Sequence, residues 1–221
     1  MAILTGQEIL TQVTLGNIKI GNFDVNRIQP NSYDVTLGNK VSYYALTDHA
    51  IRIGQINDKI PFETFGLLAI EPTENNPDCG FIRGIPYLDT KSDNYMITQT
   101  ISDDGYVLLP RVLYLVETNE SVWSNKFIAE ISGSSSLARL GVVIHKTAGY
   151  ANLGHEFKWI LEVEVTHAVK VYPNMKIGQM YFHDSIGDTT LQYNGKYAGH
   201  QLDDKLCGSL NYMDDQVNGD E

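Results

Sequence analysis

Lys158-Trp159-Ile160-Leu161-Glu162-Val163-Glu164-Val165 is the stretch on which the fold reading turns. With a period of two, Leu161, Val163 and Val165 fall on one face and Ile160, Glu162 and Glu164 on the other. The alternation predicts a strand with one face in a core and the other facing away from it. Related signals recur at Val41-Ser42-Tyr43-Tyr44, Tyr106-Val107-Leu108-Leu109, Val112-Leu113-Tyr114-Leu115-Val116 and Met180-Tyr181-Phe182. These runs are short, β-branched or aromatic, and bounded by turn residues. Pro110-Arg111 between two of them reads as a turn or bend. Strands arriving at short intervals with few helices predict an all-β barrel or sandwich.

Two short helices are expected. Thr5 to Glu8 reads as a capping box, with Leu4 and Ile9 placed for a hydrophobic staple, so a helix should run over about residues 6–13. A second should follow Gly133-Ser134-Ser135-Ser136. Residues 51–102 hold Pro61, Pro72, Pro77 and Pro86 and the polar stretch Thr73-Glu74-Asn75-Asn76-Pro77-Asp78, and read as strands joined by long loops. The chain is expected to be one domain over residues 1–221, with a loop-rich insertion at about 51–102 and a frayed acidic tail at 214–221.

The 221 residues are enough for a full hydrophobic core, and 43% hydrophobic with 19% charged residues fits a soluble globular protein. No apolar run approaches the ~20 residues of a membrane span. The start has no basic region before a long apolar one, so no signal peptide is expected. Cys79 and Cys207 make neither a disulfide framework nor a metal knuckle, and a reducing, cytoplasmic location is the default expectation. A net charge of −11 disfavours a broad nucleic-acid surface. It leaves room for a nucleotide, which a local cluster of cations and N–H groups can hold.

The densest chemistry lies in Gly133-Ser134-Ser135-Ser136-Leu137-Ala138-Arg139-Leu140-Gly141. Free N–H groups at a helix start favour an anion such as a phosphate. Ser135 and Arg139, four positions apart, share a face if the segment is helical. A hydroxyl, a guanidinium and a carboxylate such as Glu162 can together bind a phosphate and activate a water. The residues by themselves equally allow a capped helix with a solvent-facing arginine, and solvated glutamates at 162 and 164.

Four further blocks accompany this one. They are Arg27-Ile28-Gln29-Pro30-Asn31-Ser32-Tyr33-Asp34-Val35-Thr36-Leu37-Gly38, His145-Lys146-Thr147-Ala148-Gly149-Tyr150-Ala151-Asn152-Leu153-Gly154 with the Glu162 strand, Met175-Lys176-Ile177-Gly178-Gln179-Met180, and Lys196-Tyr197-Ala198-Gly199-His200. In this order and spacing they resemble the dCTP deaminase branch of the dUTPase-like superfamily, over roughly residues 1–40 and 105–200. The resemblance implies a mainly β, distorted jelly-roll barrel and a homotrimer with active sites between subunits. It implies Glu162 as the general base that takes a proton from water attacking cytosine C4 and returns protons to the leaving ammonia. Ser135 and Arg139 match residues that position the water and stabilise developing charge, and Ser136 matches a phosphate contact.

The implied substrate-binding set also holds Ser134, Thr147, Ala148, Asn152, Ile160, Leu161, Gln179, Tyr193, Lys196 and His200. The loop at Thr147-Ala148 offers backbone groups to the pyrimidine. Gln179 is a substrate contact, and Tyr193 and Lys196 match the tyrosine and lysine that close over the phosphates. Three positions depart from the family pattern. Ser134 stands where arginine or lysine is usual, and the missing charge-assisted hydrogen bond is worth ~1.5–3 kcal/mol. Asn152 stands where aspartate is usual; it can bond a sugar hydroxyl but is no base at neutral pH. His200 stands where glutamine is common. A zinc deaminase needs His-x-Glu and Pro-Cys-x-x-Cys, and the chain has neither.

The leading expectation is therefore metal-independent deamination of dCTP to dUTP and ammonia, with Mg2+ bound through the substrate triphosphate, and dUTP or dTTP as product or effector. No nucleic acid and no membrane are expected as partners. Two alternatives stand beside it. One is a bifunctional enzyme that continues to dUMP, which Ala148-Gly149-Tyr150 resembles and Asn152 opposes. The other is a nucleotide-binding regulator without turnover.

Overall fold

A computed structural model of the chain describes residues 2–44, 80–82, 85–88, 94 and 96–193. Most of the expected insertion and the tail at 214–221 lie outside the described residues, as do Lys196 and His200.

The chain opens with helix α1 (Gly6–Thr14), capped as the sequence predicts. The Thr5 hydroxyl accepts from the Glu8 N–H at 3.3 Å, and Ile9 is driven fully into the core. Strand β1 (Ile18–Ile20), a 3-10 turn (Val25–Arg27), β2 (Ile28–Gln29) and the long β3 (Ser32–Tyr44) follow. Next come β4 (Gly80–Ile82), β5 (Ile85–Tyr87), β6 (Met96–Thr100), β7 (Tyr106–Leu108) and β8 (Tyr114–Ser124). Beyond these are β9 (Phe127–Gly133), helix α2 (Ser135–Ala138), β10 (Val142–Val143), β11 (Phe157–Val165), β12 (Val169–Val171) and β13 (Lys176–Asp184). The four strand signals coincide with parts of β3, β7, β8 and β13, with Leu109, Val112 and Leu113 outside the strands, and Pro110-Arg111 forms a turn in which Arg111 takes φ 68°.

Nine of these strands form one sheet, with the path β10-β11-β8-β3-β13-β9, β1 on β8, and β2 and β6 on β3. Small two-stranded sheets, β12–β7 and β4–β5, complete the pairing among the described residues. The protein is mainly β and the large sheet is nearly closed, which settles the barrel-or-sandwich alternative in favour of a barrel-like form. Tyr33, Tyr43, Tyr114 and Phe182 are each at most 1% exposed at its centre. Tyr114 meets Tyr43 and Tyr106 edge-on, and its hydroxyl accepts from the Leu109 N–H at 2.9 Å, so the phenol oxygen is not stranded. Trp159 on β11 is buried and donates its indole N–H to the Met180 sulfur at 3.2 Å.

Strands β3 and β8 serve several partners each, and the chain makes room for this at Gly38. Their register shifts between Leu37 and Val41, and a Cβ on Gly38 would stand 2.8 Å from the Glu117 carbonyl oxygen. Nearby, Glu120 is fully buried, and its carboxylate accepts from the Thr36 N–H at 2.8 Å, the Thr36 hydroxyl at 2.8 Å and the Arg27 guanidinium. Asn119 bonds Thr36 Oγ1, the Leu37 carbonyl and Asn174 Oδ1 at 3.0, 2.9 and 3.0 Å. This network ties the 3-10 turn, β3, β8 and the turn before β13 together.

A buried carboxylate stripped of its cation costs more than the pair contributes. Arg27→Ala is expected to lower stability by about 2–3 kcal/mol, at the modest end because Arg27 itself is partly exposed. A drop in the urea midpoint at constant m reads this, and Arg27→Lys should recover part of the loss.

Candidate active site

The β11 alternation is realised as read. Leu161, Val163 and Val165 are 1%, 1% and 5% exposed, while Ile160, Glu162 and Glu164 lie half-buried on the other face. The Glu162 carboxylate accepts the Lys146 backbone N–H at 2.9 Å, and the Lys146 ammonium pairs with Glu164. The loop carrying Thr147 and Ala148 is thereby moored at Glu162. Its far side is pinned to β9, where the Ile131 N–H donates to the Gly149 carbonyl and the Ala151 N–H to the Ala129 carbonyl, both at 2.8 Å. Thr147 and Ala148 are left exposed between the two moorings, as is Asn152 just beyond.

The Leu161 side chain points into the core, so a ligand can meet only its backbone; Ile160 shares the Glu162 face. Ser134 is the N-cap of α2 and is buried, its hydroxyl accepting from the Leu137 N–H at 3.4 Å. That hydroxyl is committed to the helix rather than to solvent. Ser135, Ser136 and Arg139 are exposed on α2 and its C-terminal edge, over the buried Leu137. Gly141 closes the helix at φ +76°, and its carbonyl accepts the Thr166 N–H at 2.9 Å. The helix therefore docks at the end of β11, about 13 Å along the strand from Glu162. Among the described residues no hydrogen bond or ion pair joins Ser135, Ser136 or Arg139 to Glu162.

Gln179 stands elsewhere again, on β13 between Asp34 of β3 and Ser132 of β9. It donates to Asp34 Oδ1 at 3.2 Å and accepts from the Tyr181 hydroxyl at 3.0 Å. Asp34 also takes Lys176 Nζ at 2.6 Å and Gln29 Nε2 at 3.0 Å. Tyr193 packs on His155, ring centroids 5.3 Å apart, and His155 stacks on Phe157 at 5.5 Å. One chain thus holds the expected residues in four groups: Glu162 with the Thr147-Ala148 loop, the α2 hydroxyls with Arg139, Gln179 with Asp34, and Tyr193 with His155.

Sequence reasoning missed Asp34 and Tyr44. Asp34 lay inside a quoted block, but only the β3–β13 register brings it to Gln179. Tyr44 ends β3, and its phenol is held above its usual pKa, first by burial and then by the Glu162 carboxylate. The alternation of Val41-Ser42-Tyr43-Tyr44 identifies the face of Tyr44; its neighbour across β8 is a property of the folded sheet.

The dCTP deaminase-like family model matches residues 3–76 and 79–185. A curated relative from Clostridium beijerinckii, named "dCTP deaminase, dUMP-forming", is 34% identical over 212 residues, covering 96% of this chain and 98% of its own. One of the same name from Leptospira biflexa is 30% identical over 199 residues, covering 90% and 91%. A 2'-deoxycytidine 5'-triphosphate deaminase structure from Agrobacterium tumefaciens shares the fold, with TM-score 0.53 and 17% identity. The match covers 83% of this chain and 48% of that one. On the extent of the model match and the near full-length relatives, the chain belongs to the dCTP deaminase-like family.

Proposed function

We propose that this chain hydrolytically deaminates dCTP, with Glu162 as general base. The observation that carries the reading is Glu162 itself: a half-buried carboxylate on the non-core face of β11, oriented by the Lys146 N–H at 2.9 Å beside the exposed Thr147-Ala148 loop. Water attacks cytosine C4 as Glu162 takes one of its protons, forming the C4–O bond. That proton passes to N3; the proton of the new C4 hydroxyl is then carried by Glu162 to the 4-amino group, the C4–N bond breaks, and ammonia leaves with the uracil 4-carbonyl and N3–H behind it. Arg139 and Ser135 stabilise charge and position the water; Ser136 and the α2 N–H groups meet phosphate oxygens, with Mg2+ travelling on the triphosphate.

Because α2 and Glu162 are well separated within one chain, the reading includes a homotrimer in which one subunit's α2 faces another's Glu162. Light scattering should give three times the chain mass, and a persistent monomer that still turns over dCTP would refute the shared site.

The relatives' name favours an enzyme that carries the product on to dUMP and pyrophosphate, in preference to the dUTP end point expected first. The specific observation for the dUTP end point is Asn152, an exposed amide where the family pattern has a carboxylate. Incubation with dCTP and Mg2+, followed by chromatography, separates the readings: dUMP for the first, accumulating dUTP for the second, and no product if neither holds. If dUTP accumulates, Asn152→Asp should gain pyrophosphate release from dUTP while dCTP turnover changes about two- to tenfold, the worth of one neutral hydrogen bond.

Glu162→Gln keeps the shape and loses the base, so turnover should vanish while nucleotide binding, read by calorimetry, survives. Arg139→Lys should fall at least tenfold in kcat/KM, since an ammonium lacks the planar fork. Retained activity in the glutamine variant would remove Glu162 from the mechanism.

A further inference from the structure

The face of the sheet that carries Glu162 has a second side chain positioned to meet a ligand. On β3 the core takes Val41 and Tyr43, which turns Lys40, Ser42 and Tyr44 to the opposite face. Ser42 stands opposite Leu115 of β8, and Leu115 stands opposite Glu162 of β11. Ser42, Leu115 and Glu162 thus form one row across three strands; Ser42 and Leu115 are buried, and Tyr44, the next residue of that face beyond Ser42, is half-buried like Glu162. Two strand spacings and one two-residue step put the Tyr44 and Glu162 Cα atoms about 12 Å apart. That separation lets both side chains lean toward one flat ring laid over the buried Leu115.

We propose that Tyr44 is a further substrate-contacting residue, which holds the pyrimidine ring in front of Glu162 with its aromatic face and its phenol hydroxyl. The inference rests on the dCTP reading and adds a residue to it. Two properties suit Tyr44 to this role. Its side chain is half-buried, so its ring is largely fixed before a ligand arrives. Burial first, and then the Glu162 charge, disfavour ionisation of the phenol, so the hydroxyl stays a donor across the working pH range. A neutral donor suits the C2 carbonyl or ring nitrogen of cytosine, and an ionised phenol would repel both the triphosphate and Glu162. Other charged groups of this face among the described residues include Lys40, Glu117, Lys158, and Glu164 with its partner Lys146.

The test uses the full chain carrying tyrosine labelled with 13C at the ζ carbon, in the Glu162→Gln background so that bound dCTP persists. The Tyr44 signal is assigned by its loss on adding Tyr44→Phe. Adding Mg2+ and dCTP should shift it. In the otherwise unaltered protein Tyr44→Phe should raise KM two- to tenfold with kcat within about twofold, as loss of one neutral hydrogen bond predicts. Tyr44→Ala, which also removes the ring, should raise KM further. A Tyr44 signal that stays still while other tyrosines move, or an unchanged KM in both variants, overturns the inference and leaves the dCTP reading standing. If no signal moves and the unaltered protein turns over no dCTP, the reading itself falls and takes Tyr44 with it.

Discussion

The arrangement depends on a carboxylate that water cannot reach. Glu120 has no exposed surface, and a charge in that position is tolerable only while the Thr36 N–H and hydroxyl and the Arg27 guanidinium all point at it. Those donors belong to a 3-10 turn and to β3, while Glu120 belongs to β8. The demand for satisfaction therefore fixes where the N-terminal segment crosses the two longest strands. It sits just past the Gly38 register shift, where β3 passes from pairing with β13 and β8 to pairing with β8 and β6. A hydrophobic contact at the same place would accept a one-residue slip; a triply bonded carboxylate does not.

That fixed register is what turns sequence positions into a site. Ser42, Leu115 and Glu162 become a row because β3, β8 and β11 keep their alignment, and the Lys146 N–H reaches Glu162 because the loop after β10 is held by β9 on its other side. The same rigidity keeps α2 at the far end of β11. A chain this constrained has little means of folding its own α2 onto its own Glu162, which is the physical ground of the homotrimer proposed above.

The local features were legible from the residues. The Thr5 cap, the two faces of β11 and the short helix after Gly133 follow from spacing and side-chain chemistry within a few positions, and the structure reproduces each. The family was legible because its motifs keep their order. Features that required knowledge of strand pairing were not. Nothing within ten residues of Glu120 says that it meets Arg27, 93 positions away, or that Asp34 and Gln179, 145 apart, share a hydrogen bond. A capped helix was legible at the three serines, but which of them caps it, and so which hydroxyls stay outside the helix, needed the helix itself in view.

Ser134 has one more effect, on kinetics. With its hydroxyl folded inward and no basic side chain in its place, position 134 offers an approaching polyanion no cation ahead of Arg139 on the α2 segment. The chain as a whole carries a net charge of −11, so its far field repels a nucleotide. Most enzymes of anionic substrates lose association rate as salt rises, because salt screens an attraction. For the triphosphate substrate proposed above, the long-range term has the opposite sign, and moderate salt should speed encounter until it begins to weaken the short-range contacts proposed at Arg139.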